Sequence, residues 1–207
     1  MSASAPRPHA ESPLQRPDAL RILDRAFPDQ PVVLTLGGTI REMIAVCGRR
    51  PNHLPMLDSM GLAVPIGLGL AVGLADEPAV ERVVVAEGDG SLLMGFSVLT
   101  TVGLLQPTKL VVVVLDNGVY LATGGQPTAA ASTDFVAAAR ACGLRAELVE
   151  GAAALEAALR TARAEDGPWL LRVPVGTAAP PTAFFLEDPV VLRADFDRWL
   201  ASRRGRG

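Results

Sequence analysis

Leu110 to Leu115 is an unbroken apolar run in which four of the six residues are valine. A strand with one face in water alternates apolar and polar side chains, so a run with no polar position needs cover on both faces. That demand is met by a parallel sheet, whose crossover helices lie on both of its sides. Val83-Val84-Val85-Ala86 makes the same demand. Val32 to Leu36, Arg145 to Val149 and Trp169 to Val173 read as further strands.

Helical patterns fall between these runs. They cover Thr39 to Val46, a small-residue stretch from Leu62 to Leu74, one helix from Leu92 to Leu105, and Ala152 to Ala164. Ser132, Thr133 and Asp134 supply capping chemistry for a helix running to about Ala141. Pro17 suits the start of a helix with Leu20, Ile22, Leu23 and Phe27 on its apolar face, and Arg193 to Ala201 predicts a terminal helix. Strand and helix therefore alternate, which predicts the α/β class, with a doubly wound parallel sheet flanked by helices and joined by right-handed crossovers. Residues 1–16, rich in Ser, Ala and Pro, are expected to be a disordered tail, and residues 17–207 a single domain.

Charge and cysteine content narrow the function. A net charge of −3 gives no reason to expect nucleic acid as a partner, and Arg203-Arg204-Gly205-Arg206 reads as a solvated end. The longest apolar stretch, Gly61 to Ala75, contains Pro65 and four glycines and is too interrupted to span a membrane. Cys47 and Cys142 lie in no metal-binding or redox spacing and read as reduced core residues. With no basic-then-apolar leader, a soluble cytoplasmic protein is expected.

Ligands of doubly wound sheets sit beyond the carboxyl ends of the strands. Three turns qualify: Leu36-Gly37-Gly38-Thr39, Glu87-Gly88-Asp89-Gly90-Ser91 and Asp116-Asn117-Gly118. In the second, Gly88 and Gly90 allow close backbone approach, and Gly90 and Ser91 open a helix whose first N–H groups suit a phosphate. Asp89 sets a hard carboxylate beside it, suited to Mg²⁺. The 26 residues between Gly90 and Asn117 make one helix and one strand, so the Asn117 amide returns near Asp89. Each of these turns read alone is an ordinary structural turn; their order and common edge carry the functional reading.

Gly88-Asp89-Gly90 followed by Asn117 resembles the motif of thiamine-diphosphate enzymes. That resemblance implies Asp89, Asn117 and the Val119 carbonyl as Mg²⁺ ligands, with Gly38, Thr39, Gly88, Gly90 and Ser91 around the diphosphate. Gly37-Gly38-Thr39-Ile40-Arg41-Glu42, Asp58-Ser59-Met60-Gly61, Leu115-Asp116-Asn117-Gly118 and Thr123-Gly124-Gly125-Gln126-Pro127-Thr128 are similar to the sulfopyruvate and phosphonopyruvate decarboxylase subgroup, from about Val32 to Val173. By that resemblance Met60 is the apolar wedge that bends the cofactor, the Asp58 carbonyl accepts from its aminopyrimidine, and Ser59 lies between them. Tyr120, Thr123 and Gln126 would be loop contacts to substrate.

The resemblance also implies a pyrimidine-binding domain carrying a Glu that activates the cofactor. Glu42, Glu87 and Glu150 all read as local to this domain, so that Glu is expected on a partner α subunit, in a hetero-oligomer acting on a 2-oxo acid. Where phosphonopyruvate enzymes carry a polar stretch after Asp-Asn-Gly, this chain has Val119-Tyr120-Leu121-Ala122, and a more apolar substrate or a carboligation becomes an alternative. A non-catalytic cofactor-binding subunit is a further alternative. A dinucleotide-binding domain is disfavoured, because Leu36 to Arg41 lacks the third glycine of that fingerprint. His53 reads as a surface or loop-packing residue.

Overall fold

The computed structural model describes residues 14–204, with the side chains described as far as residue 203, and every structural statement below concerns those residues. The first helix, α1 (Arg16–Ala26), leads into β1 (Val32–Leu34), α2 (Gly38–Cys47), β2 (His53–Pro55) and α3 (Ala63–Gly73). Next come β3 (Val83–Gly88), α4 (Asp89–Met94), α5 (Val98–Leu105) and β4 (Leu110–Asp116). A two-stranded hairpin, β5 (Val119–Tyr120) with β6 (Gln126–Pro127), precedes α6 (Phe135–Ala141). The chain ends with β7 (Arg145–Leu148), α7 (Ala152–Ala164), β8 (Trp169–Pro174) and α8 (Pro189–Arg204).

Six strands form one sheet in the order β2-β1-β3-β4-β8-β7, and every pairing is parallel. All seven residues of β4 are buried. Alternate residues explain why no polar position occurs from Leu110 to Leu115, before the strand ends on Asp116. Leu34, Ala86, Val113 and Leu171 pack with α1, α2 and α7 on one side. Val33, Val85, Val112 and Leu170 pack with α3, α5 and α6 on the other. At Gly67 of α3 a Cβ would lie 2.2 Å from Val85 Cγ2, so the missing side chain sets how closely α3 approaches the sheet.

Four sequence expectations change. The first thirteen residues of the expected tail lie outside the described residues, but Leu14 is buried, Gln15 bridges to Gly176, and Arg16 begins α1. The helix expected from Leu92 to Leu105 is two helices, broken after Met94. A Cβ at Gly95 would sit 2.2 Å from the Gly61 carbonyl oxygen, so the chain turns where two backbones touch. The terminal helix starts at Pro189, earlier than expected, and Arg203 stacks on Trp199 at 5.5 Å instead of lying free. The cysteines are free and only partly buried, at the rim of the core.

His53 is a further change. It is 3% exposed on β2, with Nε2 3.2 Å from Asp24 Oδ1 on α1, although the pair lacks hydrogen-bonding direction. Burial lowers its pKa to about 4; the Asp24 charge opposes the shift, and Arg50 and Arg49 add to it. Asp24 is also paired with Arg50 at 2.7 Å, and the adjacent Cys47 thiol is pushed up to about 11, by burial first and then by the Asp24 charge.

Below about pH 6.5 the unfolded chain binds a proton at His53 that the folded chain refuses until about pH 4, so this residue makes stability fall as pH falls. Urea unfolding from pH 7.5 to 4.5 should show His53→Asn losing less stability than wild type, by on the order of 1–3 kcal/mol. Parallel curves for the two proteins would refute the assignment.

Candidate functional site

The strand order reverses between β1 and β3: the chain leaves β1 towards β2, then returns to β3 and β4 on the other side. A cleft of roughly 460 Å³, counting the solvent at its mouth, lies beyond the carboxyl ends of β1, β3 and β4. This is where an open α/β sheet leaves a crevice for a ligand.

The turn after β3 forms its floor. Asp89 is 2% exposed and the first residue of α4, and its Oδ2 accepts the Thr128 hydroxyl at 2.5 Å. The Asn117 N–H reaches Asp89 Oδ1 at 3.4 Å, so the two expected metal ligands lie side by side just beyond the ends of the neighbouring strands β3 and β4. Asn117 Oδ1 accepts the Val119 N–H at 3.1 Å, which fixes the amide and leaves a second lone pair. Burial raises the Asp89 pKa, the Thr128 hydroxyl opposes it, and the Asp116 charge raises it further. No cation offsets Asp89 among the described residues.

Asp116 behaves differently because Arg172 neutralises it, with Nε at 2.9 Å and a terminal nitrogen at 2.7 Å. Its other oxygen accepts the Gly118 N–H at 3.1 Å, so the pair holds the turn that carries Asn117. Glu87 is 1% exposed; Oε1 accepts the Gly88 N–H at 2.9 Å and Oε2 has no partner. Burial raises its pKa against the hydroxyls of Ser91 and Thr35, which favours the neutral acid.

Gly38 and Thr39 line the cleft from the start of α2, with Met60, Gly88, Gly90, Ser91, Val119 and Tyr120 from the facing turns. α4 is only six residues long, whereas α2 has ten and opens on the same cleft, so the longer dipole belongs to α2. Ser91 Oγ accepts the Gly61 N–H at 3.0 Å and the Thr35 hydroxyl at 3.1 Å, tying three turns together. At Gly90 a Cβ would lie 2.2 Å from the Tyr120 ring.

Four expected residues fall outside this cleft. Ser59 turns its hydroxyl to the Leu57 carbonyl at 2.9 Å, and Asp58, at φ 49°, borders an adjoining cavity. Thr123 and Gln126 bond to each other at 2.8 Å on the exposed β5–β6 hairpin and do not line the cleft. Leu121 and Ala122 line it instead.

Three residues were missed: Thr35, Thr128 and Arg16. Arg16 lines the cleft and donates through Nε to Glu42 Oε2 at 2.8 Å, a second contact closing the ion pair. Its place in a Ser/Pro-rich opening hid it. Thr128 stood in a quoted motif, but its reach to Asp89 is a tertiary fact.

No cluster of three His, Cys, Asp or Glu side chains suited to a metal occurs among the described residues. A carboxylate without a counter-charge beside an amide oxygen is nevertheless the donor set of a hard cation that takes its remaining ligands from phosphate and water. Glycine-opened turns around such a carboxylate, at the reversal point of a parallel sheet, mark an α/β domain built for a phosphorylated ligand.

Residues 42–173 match the thiamine pyrophosphate enzyme, C-terminal TPP binding domain, and the chain belongs to that family. It is 40% identical to phosphonopyruvate decarboxylase of Streptomyces viridochromogenes over 77% of this chain and 40% of that one. It is 39% identical to sulfopyruvate decarboxylase subunit beta of Methanothermobacter thermautotrophicus over 78% of this chain and 82% of the relative. The chain thus spans less than half of the first relative and most of the second. A solved structure described as a thiamin diphosphate-dependent enzyme from Mycobacterium smegmatis superposes with a TM-score of 0.68 at 28% identity, over 80% of this chain and 32% of that one. No described helix is long and apolar enough to cross a membrane.

Gly90→Ala should destabilise the protein by roughly 1–3 kcal/mol in thermal or urea unfolding, because the methyl group and the Tyr120 ring compete for one space. In a Tyr120→Ala background that penalty should shrink by about 1 kcal/mol, the coupling expected of residues in contact. An unchanged penalty would place the strain elsewhere.

Proposed function

We propose that the chain is the thiamine-diphosphate- and Mg²⁺-binding subunit of a split 2-oxo acid decarboxylase, completed by a pyrimidine-binding partner subunit. The observation that carries this reading is Asp89, a buried carboxylate without a counter-charge, set against Asn117 in a chain of the thiamine pyrophosphate family. The Asp89 carboxylate, the Asn117 amide and the Val119 carbonyl would hold the metal, and Gly38, Thr39, Gly90 and Ser91 the diphosphate. Met60, on the cleft wall, would support the rings in a bent form. Thiamine diphosphate, when bound, supplies the nucleophile for the keto carbon and the electron sink for loss of CO₂. This chain anchors and orients it and shields one side of it from water.

Three observations support a partner. No Glu side chain lines the described cleft, so a carboxylate that activates the cofactor must reach it from elsewhere. The chain matches 82% of the length of a relative named as a beta subunit, a name that implies a separate partner subunit for that relative. α3 is apolar on every face, yet Val72 and the preceding Leu62 are about half exposed, and Met94 nearby is 64% exposed. A helix without a polar face favours cover on both sides.

Thermal unfolding of the chain should rise with thiamine diphosphate plus Mg²⁺ and not with NAD. Ligand at a hundred times its Kd is worth about 2.7 kcal/mol. Asp89→Ala should abolish the shift. Decarboxylation of a panel of 2-oxo acids should require the partner and be lost in Asp89→Ala. Stabilisation by NAD instead, or turnover by this chain alone, would overturn the reading.

A further inference from the structure

Among the described residues a single cationic side chain lines the cleft, that of Arg16. Beyond its pair with Glu42 it has no part in the function proposed above. It lies ahead of residues 42–173, so membership of the family assigns it nothing.

Several contacts put it there. Leu14 is buried, and its carbonyl accepts the Gly176 N–H at 2.9 Å, just beyond β8. Gln15 extends this attachment: its side-chain oxygen accepts the Ala178 N–H at 3.1 Å. The Gln15 carbonyl then accepts the N–H groups of Asp18 and Ala19 and opens α1. These bonds hold Arg16, the first residue of α1, at the carboxyl edge of the sheet, where it shares the cleft with Gly38, Asp89 and Asn117.

Glu42 then fixes how the guanidinium is turned. Nε donates to Glu42 Oε2 at 2.8 Å and Nη2 to Glu42 Oε1, in a pair whose side chains are 12% and 4% exposed. A guanidinium has more N–H donors than one carboxylate can take. Nη1 has no hydrogen-bond partner among the described residues and is not sealed from solvent. Gly38 keeps room for this arrangement, because a Cβ there would collide with Nη2. Glu42 does not line the cleft, so the pair turns its positive side to the ligand. On that side lie the N–H groups that a helix leaves unpaired in its first turn, here those of α2.

Charge in the cleft calls for such a group. A diphosphate carries more negative charge than one divalent cation cancels, and the Asp89 carboxylate adds to the excess. Arginine suits the remaining task, since its planar fork can hold a carboxylate with one edge and phosphate oxygens with another.

We propose that Arg16 binds the diphosphate: braced by Glu42 beside Gly38, it gives the phosphate oxygens a charged donor at the opening of α2. This rests on the function proposed above and deepens it, because the cofactor is then held by α1 as well as by the strand-end turns. Glu42 is the positioning residue of this contact, and a fork paired with Glu42 leaves Asp89 to the metal.

The test is calorimetric binding to the full chain, with Mg²⁺ present, of thiamine diphosphate and of inorganic pyrophosphate, alongside thermal unfolding. Arg16→Met alone strands the buried Glu42 charge and is expected to unfold readily. The charge is therefore removed from both partners, in Arg16→Met/Glu42→Gln. That double variant should bind both ligands about 10- to 100-fold more weakly, the range for a hydrogen bond to a charged group. Glu42→Gln keeps the cation and loses the brace, so its Tm should fall while binding weakens only a few-fold. Arg16→Lys/Glu42→Gln should recover part of the affinity, because the charge returns without the fork.

A brace with no ligand would give another pattern, in which Glu42→Gln and the double variant lose affinity alike. That result overturns the proposal, as does wild-type affinity in the double variant while wild type binds thiamine diphosphate. Wild type that binds pyrophosphate and not thiamine diphosphate overturns the functional reading alone, and the pyrophosphate series still decides the role of Arg16. Wild type that binds neither overturns both.

Discussion

Cover on both faces of the sheet decides where this protein can do chemistry. Once α1, α2 and α7 lie on one side and α3, α5 and α6 on the other, no sheet face remains for a ligand. Only the strand ends are open, and the reversal between β1 and β3 spreads the turns at that edge. The apolar runs that build the core thus also deliver Gly38, Asp89 and Asn117 to one place. Close helix-to-sheet contact at Gly67 and the backbone contact between Gly61 and Gly95 set how near those turns come.

Charge at the cleft is divided by what each acid is given. Glu42 and Asp116 have arginines, and both act as braces: one fixes α1 to α2, the other fixes the turn bearing Asn117. Glu87 has hydroxyls and no cation, a setting that favours the neutral acid. Asp89 alone combines burial, absence of a counter-charge and an adjacent amide oxygen. An uncompensated buried carboxylate costs several kcal/mol, and a divalent cation relieves it together with the charge of a diphosphate.

The strands were legible because an apolar run of β-branched residues has few alternatives, and Ala152–Ala164 was legible to the residue because its pattern is local. What escaped was set by contacts between distant segments. The helix break after Met94 depends on Gly61 lying against Gly95, which no local pattern shows. β2 is three residues long beside Pro51 and pairs only on one edge, too little for periodicity to reveal. Arg16 sat in a composition typical of tails and is held by a glutamate 26 residues away. In the cleft, Asp89 and Asn117 were readable from spacing, whereas Thr128, which bonds Asp89, was not.

Anchoring and selection consequently rest on different kinds of group. On the proposed reading the diphosphate end would face backbone N–H groups, one carboxylate and one amide, groups whose positions follow from turns and strand register. Few substitutions there are tolerable, since a methyl group at Gly90 already strikes Tyr120. The neighbouring cavity is walled mainly by side chains on α2, on the loop after β2 and on the segment before α8, with Gly37 adding backbone alone. Those can change without moving the sheet. A fold arranged this way keeps its strand-end turns while the lining of the neighbouring cavity changes. The exposed apolar side of α3 extends the same logic outward: a helix without a polar face is suited to cover by a further surface.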